Sequence, residues 1–243
     1  MRATETRNEA QRFLLALLEV ELLLDYRAPV LRRSNRVAIV TWPSSENSRG
    51  LVVPGQFGTV PEYRRMLQDQ EYSAVLFDGS LLQLSWSFVS NRLTRHRLCY
   101  FPCPVELTSV SLDAPEATVS DAVDECLLQD FAGGEDGRNF FEDPPGGLFP
   151  LLRLRSPVRF DFDVEAAADD HPACHLTMTR EECRIPVHGP VSLGHFVRLV
   201  FRNFFPLIWA RHAFLRTWSA PHTFSTISAA ELSELHIAWR STM

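Results

Sequence analysis

Apolar positions along this chain change period several times, and each change marks an element. Residues 6–25 follow a helical repeat: Phe13, Leu14, Leu17, Leu18, Val20 and the run Leu22–Leu24 make a broad apolar stripe, and Thr6 with Glu9 has capping-box spacing. This predicts a helix over 6–25. Val37, Ala38, Ile39 and Val40 predict a strand within 36–42, followed by a loop over 50–58. Pro61 predicts the first turn of a short helix reaching about Gln70.

Period two then takes over. Tyr72–Phe77 leads into the turn signature Asp78-Gly79-Ser80; Leu82, Leu84, Trp86 and Phe88 then alternate with Gln83, Ser85 and Ser87. After Ser90-Asn91, residues 93–101 alternate again, with Thr94, His96, Leu98 and Tyr100 on one face and Arg95, Arg97, Cys99 and Phe101 on the other. The pattern predicts an antiparallel meander with one buried and one solvated face. Val158, Phe160 and Phe162 resume the alternation against Arg159, Asp161 and Asp163. A polar loop over 165–172 and two short strands, 175–179 and 183–187, follow. Ser192 then caps an apolar helix that Pro206 should kink and that Trp209–Trp218 continues. A last helix is expected from the Ser228-x-x-Glu231 capping box to Trp239.

Between the strand blocks, residues 111–147 carry ten carboxylates against one base, Arg138, and read as an acidic inserted loop with a short helix near 120–131. The expectation is a single α+β domain over 1–243: an antiparallel sheet from 36–104 and 156–187, packed against an N-terminal helix and helices within 192–240.

Composition narrows the chemistry. All 24 basic residues are Arg, so mechanisms that need a lysine amine, such as Schiff bases, pyridoxal phosphate anchoring or a P-loop, are excluded. Each basic side chain is a planar fork suited to carboxylates and phosphates. The net charge of −6 gives no global field for nucleic acid, which leaves a local Arg patch as the route to an anionic ligand. No apolar run approaches the ~18 residues of a membrane span, and no signal peptide opens the sequence. With five cysteines and no CxxC pair, a cytoplasmic protein with reduced thiols is expected. Cys99 and Cys103 with Cys174, Cys183, His171 and His175 would be a zinc set, but only the first pair has zinc-type spacing, and buried thiols are the reading preferred here. No metal or other cofactor is therefore expected.

The candidate site lies on the strands. Asp161 and Asp163 project from one face, His171 and His175 flank the loop that follows, and Arg184 lies on the next strand. Such a set supports metal-independent phosphodiester chemistry. His175 would transfer the proton, Asp161 would orient it, His171 would be the second acid or base, and Arg184 would bind the anion. Asp163, His96, Arg97 and Asp78 are the candidate substrate-binding residues. Structural alternatives stand beside several of these: a solvated strand face for the aspartates, turn chemistry for His171 and Asp78, a salt bridge for Arg184. Apolar helix residues Leu14, Leu17, Leu18, Phe201, Phe205 and Trp209 are candidates for contact with a protein partner.

The strings DGSLLQLSWSF, HRLCYFPCP, VRFDFD, HPACHL, CRIPV and FVRLVFRNFF resemble a bacterial family catalogued as a domain of unknown function, over roughly residues 1–240. That likeness implies a fold and no reaction. A fainter one is to TumE-like toxins of toxin–antitoxin pairs, which also place a DGS-type strand ahead of an aromatic-Asp strand and a histidine pair. Beside the polar residues above, it gives the first functional class: an effector of a bacterial conflict or toxin–antitoxin locus, in the form of a metal-independent ribonuclease acting on RNA. The other functional class is a non-catalytic subunit that binds a larger protein in a defence complex.

Overall fold

A computed structural model describes residues 2–43, 57–105, 155–168, 171–221 and 223–239; the acidic segment 111–147 and most of the 50–58 loop lie outside the described residues. The elements are α1 (Ala3–Glu19), β1 (Leu23–Tyr26), β2 (Val30–Ser34), β3 (Val37–Thr41), α2 (Val60–Gln68), β4 (Ala74–Leu76), β5 (Leu81–Val89) and β6 (Arg92–Phe101). After the acidic segment come β7 (Val158–Asp163), β8 (Cys174–Met178), β9 (Arg184–Pro186), α3 (Leu193–Phe204), α4 (Pro206–Arg211), α5 (Ala213–Thr217) and α6 (Ala229–Leu232). Among the described residues nine strands join one antiparallel sheet, in the order β1-β4-β5-β6-β7-β8-β9, with β3 also on β5 and β2 beyond it. This is the α+β arrangement that the alternation predicts.

Where elements differ from the sequence pattern, local backbone explains it. The first helix begins at Ala3, with Arg2 as its cap: Glu5 accepts from the Arg2 N–H at 3.0 Å, and the Thr6 hydroxyl donates to the Arg2 carbonyl. It stops at Glu19 because Glu21 adopts a left-handed φ of 58°, so Leu22–Leu24 leave the helix and enter β1. The strand expected over 36–42 is one arm of a hairpin whose other arm, β2, carries Arg32 and Arg33 on an edge where no apolar alternation is needed. The long C-terminal helix is broken twice. Pro206 cannot donate to the preceding turn, and Phe205 and His212 leave helical geometry, so three short helices replace one. The Ser228–Glu231 capping box forms, but its helix lasts four residues; the chain then crosses to the sheet, where Ile237 pairs with Val187.

One face of the sheet is covered throughout, the other only at one end. On the first, Phe13, Leu14 and Leu17 of α1 and Phe196, Val200 and Phe201 of α3 pack on Leu84, Trp86, Leu98, Phe160 and Phe162. The Phe13 ring meets Phe201 and Trp218 edge-on, at 6.4 and 5.4 Å. On the second face, α2 covers only one end, where Tyr63 and Met66 bury Val75, Leu81, Cys99 and Phe101. That local cover leaves the rest of the second face for polar side chains. Leu14, Leu17 and Phe201 are thus fully internal, and no partner can reach them. Leu18 remains 42% exposed, and Phe205 and Trp209 are half-buried.

Candidate functional site

Register alone assembles the polar face. Residues directly opposite in neighbouring strands share a face, so pairing turns alternation into cross-strand rows. One row runs Ser85–Arg97–Asp161–His175, through direct pairing in β5 to β8. A second, nearer α2, runs Cys99–Arg159–Thr177–Arg184. A third, on the far side, runs Ser87–Arg95–Asp163. Together with His171 and Glu181 from the flanking loops these rows line a cleft of about 440 Å³.

Asp161 is the electrostatic centre. Its Oδ1 accepts from Arg97 Nε at 2.9 Å, and its Oδ2 lies 2.6 Å from Arg159 Nε. Burial pushes the carboxyl pKa up, but the Arg97 and Arg159 guanidiniums more than offset this and hold it below the usual carboxylate range, so the group stays ionised. Arg159 is itself pinned from above by the Phe57 ring, with 4.5 Å between guanidinium carbon and centroid. In the third row, Arg95 pairs with Asp163 at 3.0 Å and with Glu165.

His175 is oriented by backbone. Its Nδ1 lies 2.9 Å from the Pro172 carbonyl oxygen, which accepts only, so Nδ1 carries the proton and Nε2 keeps a lone pair. Nε2 faces Asp161 Oδ2 at 3.9 Å, beyond hydrogen-bond reach. The orienting role expected of Asp161 therefore belongs to Pro172. Asp161 instead supplies negative charge beside the nitrogen that would be protonated. Burial lowers the His175 pKa from its ordinary value, with the Pro172 hydrogen bond and Asp161 working against that shift. The His171 ring stands edge-on to His175 at 4.9 Å, and the backbone of His171 is held by paired hydrogen bonds with Ala168.

Arg184 lies at the rim of the cleft and, among the described residues, has no ion-pair or hydrogen-bond partner. Thus Asp161, Asp163, Arg97, His171, His175 and Arg184 converge. Two candidates do not. The His96 ring is on the opposite sheet face, because its direct partners are Trp86 and Phe162; there Nε2 accepts from the Val191 N–H at 2.9 Å, and burial takes its pKa down to about 4. Asp78 is in the β4–β5 turn, where its carboxylate accepts from the Ser80 N–H and hydroxyl, both at 3.0 Å. Gly79 there takes φ 80°, and the residues form a turn, as the sequence signature alone requires.

Three cleft residues escape selection from sequence: Arg159, Arg95 and Glu181. The first two carry a usable signal, since Arg159 has the parity of Asp161 and Arg95 that of Arg97. Glu181 arrives through a turn and has none.

The zinc set does not assemble. Cys99 lies beneath α2, Cys174 lies on the opposite face and donates to the Gly189 carbonyl, and Cys183 is exposed on the β8–β9 turn. Burial raises the Cys99 and Cys103 thiols to about 12 and 11 and pushes Cys174 up as well, so they are held protonated. Among the described residues, no group of three or more His, Cys, Asp or Glu side chains has metal-binding geometry, and no helix is long and apolar enough to cross a membrane.

Neither a curated protein nor a solved structure matches the chain. A family model described as "Uncharacterized conserved protein (DUF2290)" matches residues 22–239, which takes in every described strand and the whole polar cleft and, of the elements, leaves out only α1. On that match, the chain belongs to the DUF2290 family of uncharacterized conserved proteins.

Proposed function

We propose that the cleft binds RNA and cleaves it without a metal, as the effector activity of a bacterial conflict or toxin–antitoxin locus. The observation that carries this reading is the His175 imidazole: its proton is fixed on Nδ1 by Pro172, and its basic Nε2 is turned into a cleft that also holds a second histidine and Arg184, which has no ion-pair partner among the described residues. In the proposed reaction Nε2 takes the proton of a ribose 2′-hydroxyl. The 2′-oxygen then bonds to phosphorus, the P–O5′ bond breaks, and protonated His171 gives its proton to the departing 5′-oxygen. Arg184 donates to the non-bridging oxygens, whose charge rises in the transition state, and Asp161 stabilises the imidazolium formed on His175. RNA is the substrate class because the 2′-hydroxyl is the nucleophile.

The test is incubation of the purified protein with RNA, and with a strand of identical sequence lacking 2′-hydroxyls, in a chelator. Cleavage of RNA alone, with cyclic 2′,3′-phosphate ends and loss in His175→Ala, is the expected result. An intact RNA, or equal cutting of both strands, overturns the reading.

One feature favours the non-catalytic alternative, a subunit that docks on a larger protein. Leu207 is 85% exposed beside Val20, Leu22 and Phe77, more than a lone surface leucine needs. A monodisperse monomer with no affinity for co-expressed neighbours of the same operon counts against it.

A further inference from the structure

The cleft is one end of a longer basic track. Register continues the third row outward: Arg95 pairs with Ser87, Ser87 with Ile39, and Ile39 with Arg32, so Arg32 shares the face of the cleft. One row further along, Val89 pairs with Arg92 and with Val37, placing Arg92 on that face too. The parity is checked by the neighbour of Arg32: Arg33 faces the other way, and its Nη2 donates to Thr4 Oγ1 on α1 at 2.9 Å. The arginines of this face are therefore Arg32, Arg92, Arg95, Arg97, Arg159 and Arg184. Asp161, Asp163 and Glu165 neutralise the central three, whereas Arg32 and Arg92 at one end and Arg184 at the other have no ion-pair partner among the described residues. From β2 to β9 the track crosses six strand spacings, about 29 Å at ~4.8 Å each. Val37 and Val89, 38% and 37% exposed, form an apolar bed beside Arg92.

We infer that this face is an extended binding surface for single-stranded RNA, which runs from the His171–His175 cleft across β6, β5 and β3 to Arg32 and Arg92. The inference rests on the proposed function for the class of strand and extends it to where the strand lies. Charge decides the occupant. On a chain of net charge −6, guanidiniums without an ion-pair partner among the described residues at both ends of one face, linked by further arginines, match a polyanion spaced over several nucleotides. A single phosphate would need only Arg184. Exposed guanidinium planes also give unpaired bases a surface to stack on.

The test uses the full chain and uncleavable 2′-O-methyl oligonucleotides of 12 and 3 residues, with fluorescence anisotropy as readout. The 12-mer should bind at least about tenfold tighter than the 3-mer. Arg32→Glu with Arg92→Glu should remove that advantage, leave the 3-mer unchanged, and lower the salt slope by about 1.4. Arg33→Glu, on the other face, should change nothing, and thermal melting of each variant confirms its fold. Equal binding of the two lengths, indifference to the double substitution, or tighter binding of a 12-base-pair duplex overturns the inference. Cleavage of a dinucleotide separates it from the chemistry. A dinucleotide cut equally by the wild type and the double variant, with no gain for the 12-mer, removes the surface and leaves the chemistry. Arginine-dependent 12-mer binding with no cleavage of any RNA does the reverse.

Discussion

Asp161 and His175 are direct partners across β7 and β8, yet Oδ2 and Nε2 stand 3.9 Å apart, and the hydrogen bond that orients the imidazole goes to Pro172 instead. The aspartate is spent on two guanidiniums. Carboxylate and imidazole thus have separable duties, and substitution should separate them.

His175→Ala should leave the melting temperature within about 3 °C of wild type and lower RNA cleavage by about 100- to 10,000-fold, the range for one general acid–base group. Asp161→Asn should instead be read first in stability. It strips the shared partner from Arg97 and Arg159, whose side chains are only 15% and 10% exposed; leaving buried charges uncompensated costs about 3–5 kcal/mol. Parallel denaturant titrations and single-turnover assays distinguish the two.

The pH–rate profile follows from the same geometry. His175 must be neutral to act as base, and burial holds its pKa below the ordinary histidine value despite Pro172 and Asp161. The acidic limb of kcat/KM should therefore fall below pH 6.5. A limb centred at or above 6.5 would show that the base is another group.

His96 gives a separate acid sensitivity, on stability. Its pKa is about 4 when folded against 6.5 for the free group. The folded state thus binds fewer protons, and the contribution is complete above pH 6.5 and lost as pH falls toward 4. By linkage the loss is about 2 kcal/mol at pH 5. His96→Gln keeps an acceptor for the Val191 N–H and cannot titrate in this range. Urea unfolding between pH 7 and 5 should therefore show a flatter dependence in the variant.

These two histidines also mark what the sequence can and cannot tell. Alternation puts His96 and Arg97 on opposite faces, and puts Asp161 with Asp163, without reference to any structure. It does not say which face is covered. Leu84, Trp86 and Phe160 draw α1 and α3 onto the His96 side, and that is a matter of tertiary packing. Leu22–Leu24 were equally ambiguous, because three successive leucines satisfy a helix or a buried strand alike, and only the left-handed Glu21 decides between them. Arg32 and Arg33 hide β2 for the opposite reason: an edge strand can be polar on both faces.

Burial likewise sorts the apolar residues. Leu14→Ala, at a fully buried position, should cost about 2–5 kcal/mol. Leu207→Ser, at 85% exposure, should stay within about 0.5 kcal/mol. Chemical denaturation reads both. A large loss at Leu207 would mean that this leucine is covered, by a second chain or by a part of its own.

Arg184 provides the sharpest separation of binding from folding. Arg97 and Arg159 each hold Asp161, so their removal disturbs the sheet, whereas Arg184 has no partner among the described residues to lose. Arg184→Ala should therefore unfold at the wild-type denaturant midpoint. Its cost should fall on the ligand: one fewer phosphate contact lowers the salt slope of single-strand binding by about 0.7. It should also lower the cleavage rate, because the guanidinium faces charge that grows in the transition state. Arg184→Lys restores the point charge without the planar fork, so it should recover the salt slope more fully than the rate. Equal recovery of both would reduce Arg184 to a general electrostatic attractor, and no recovery of either would make the fork necessary for binding itself.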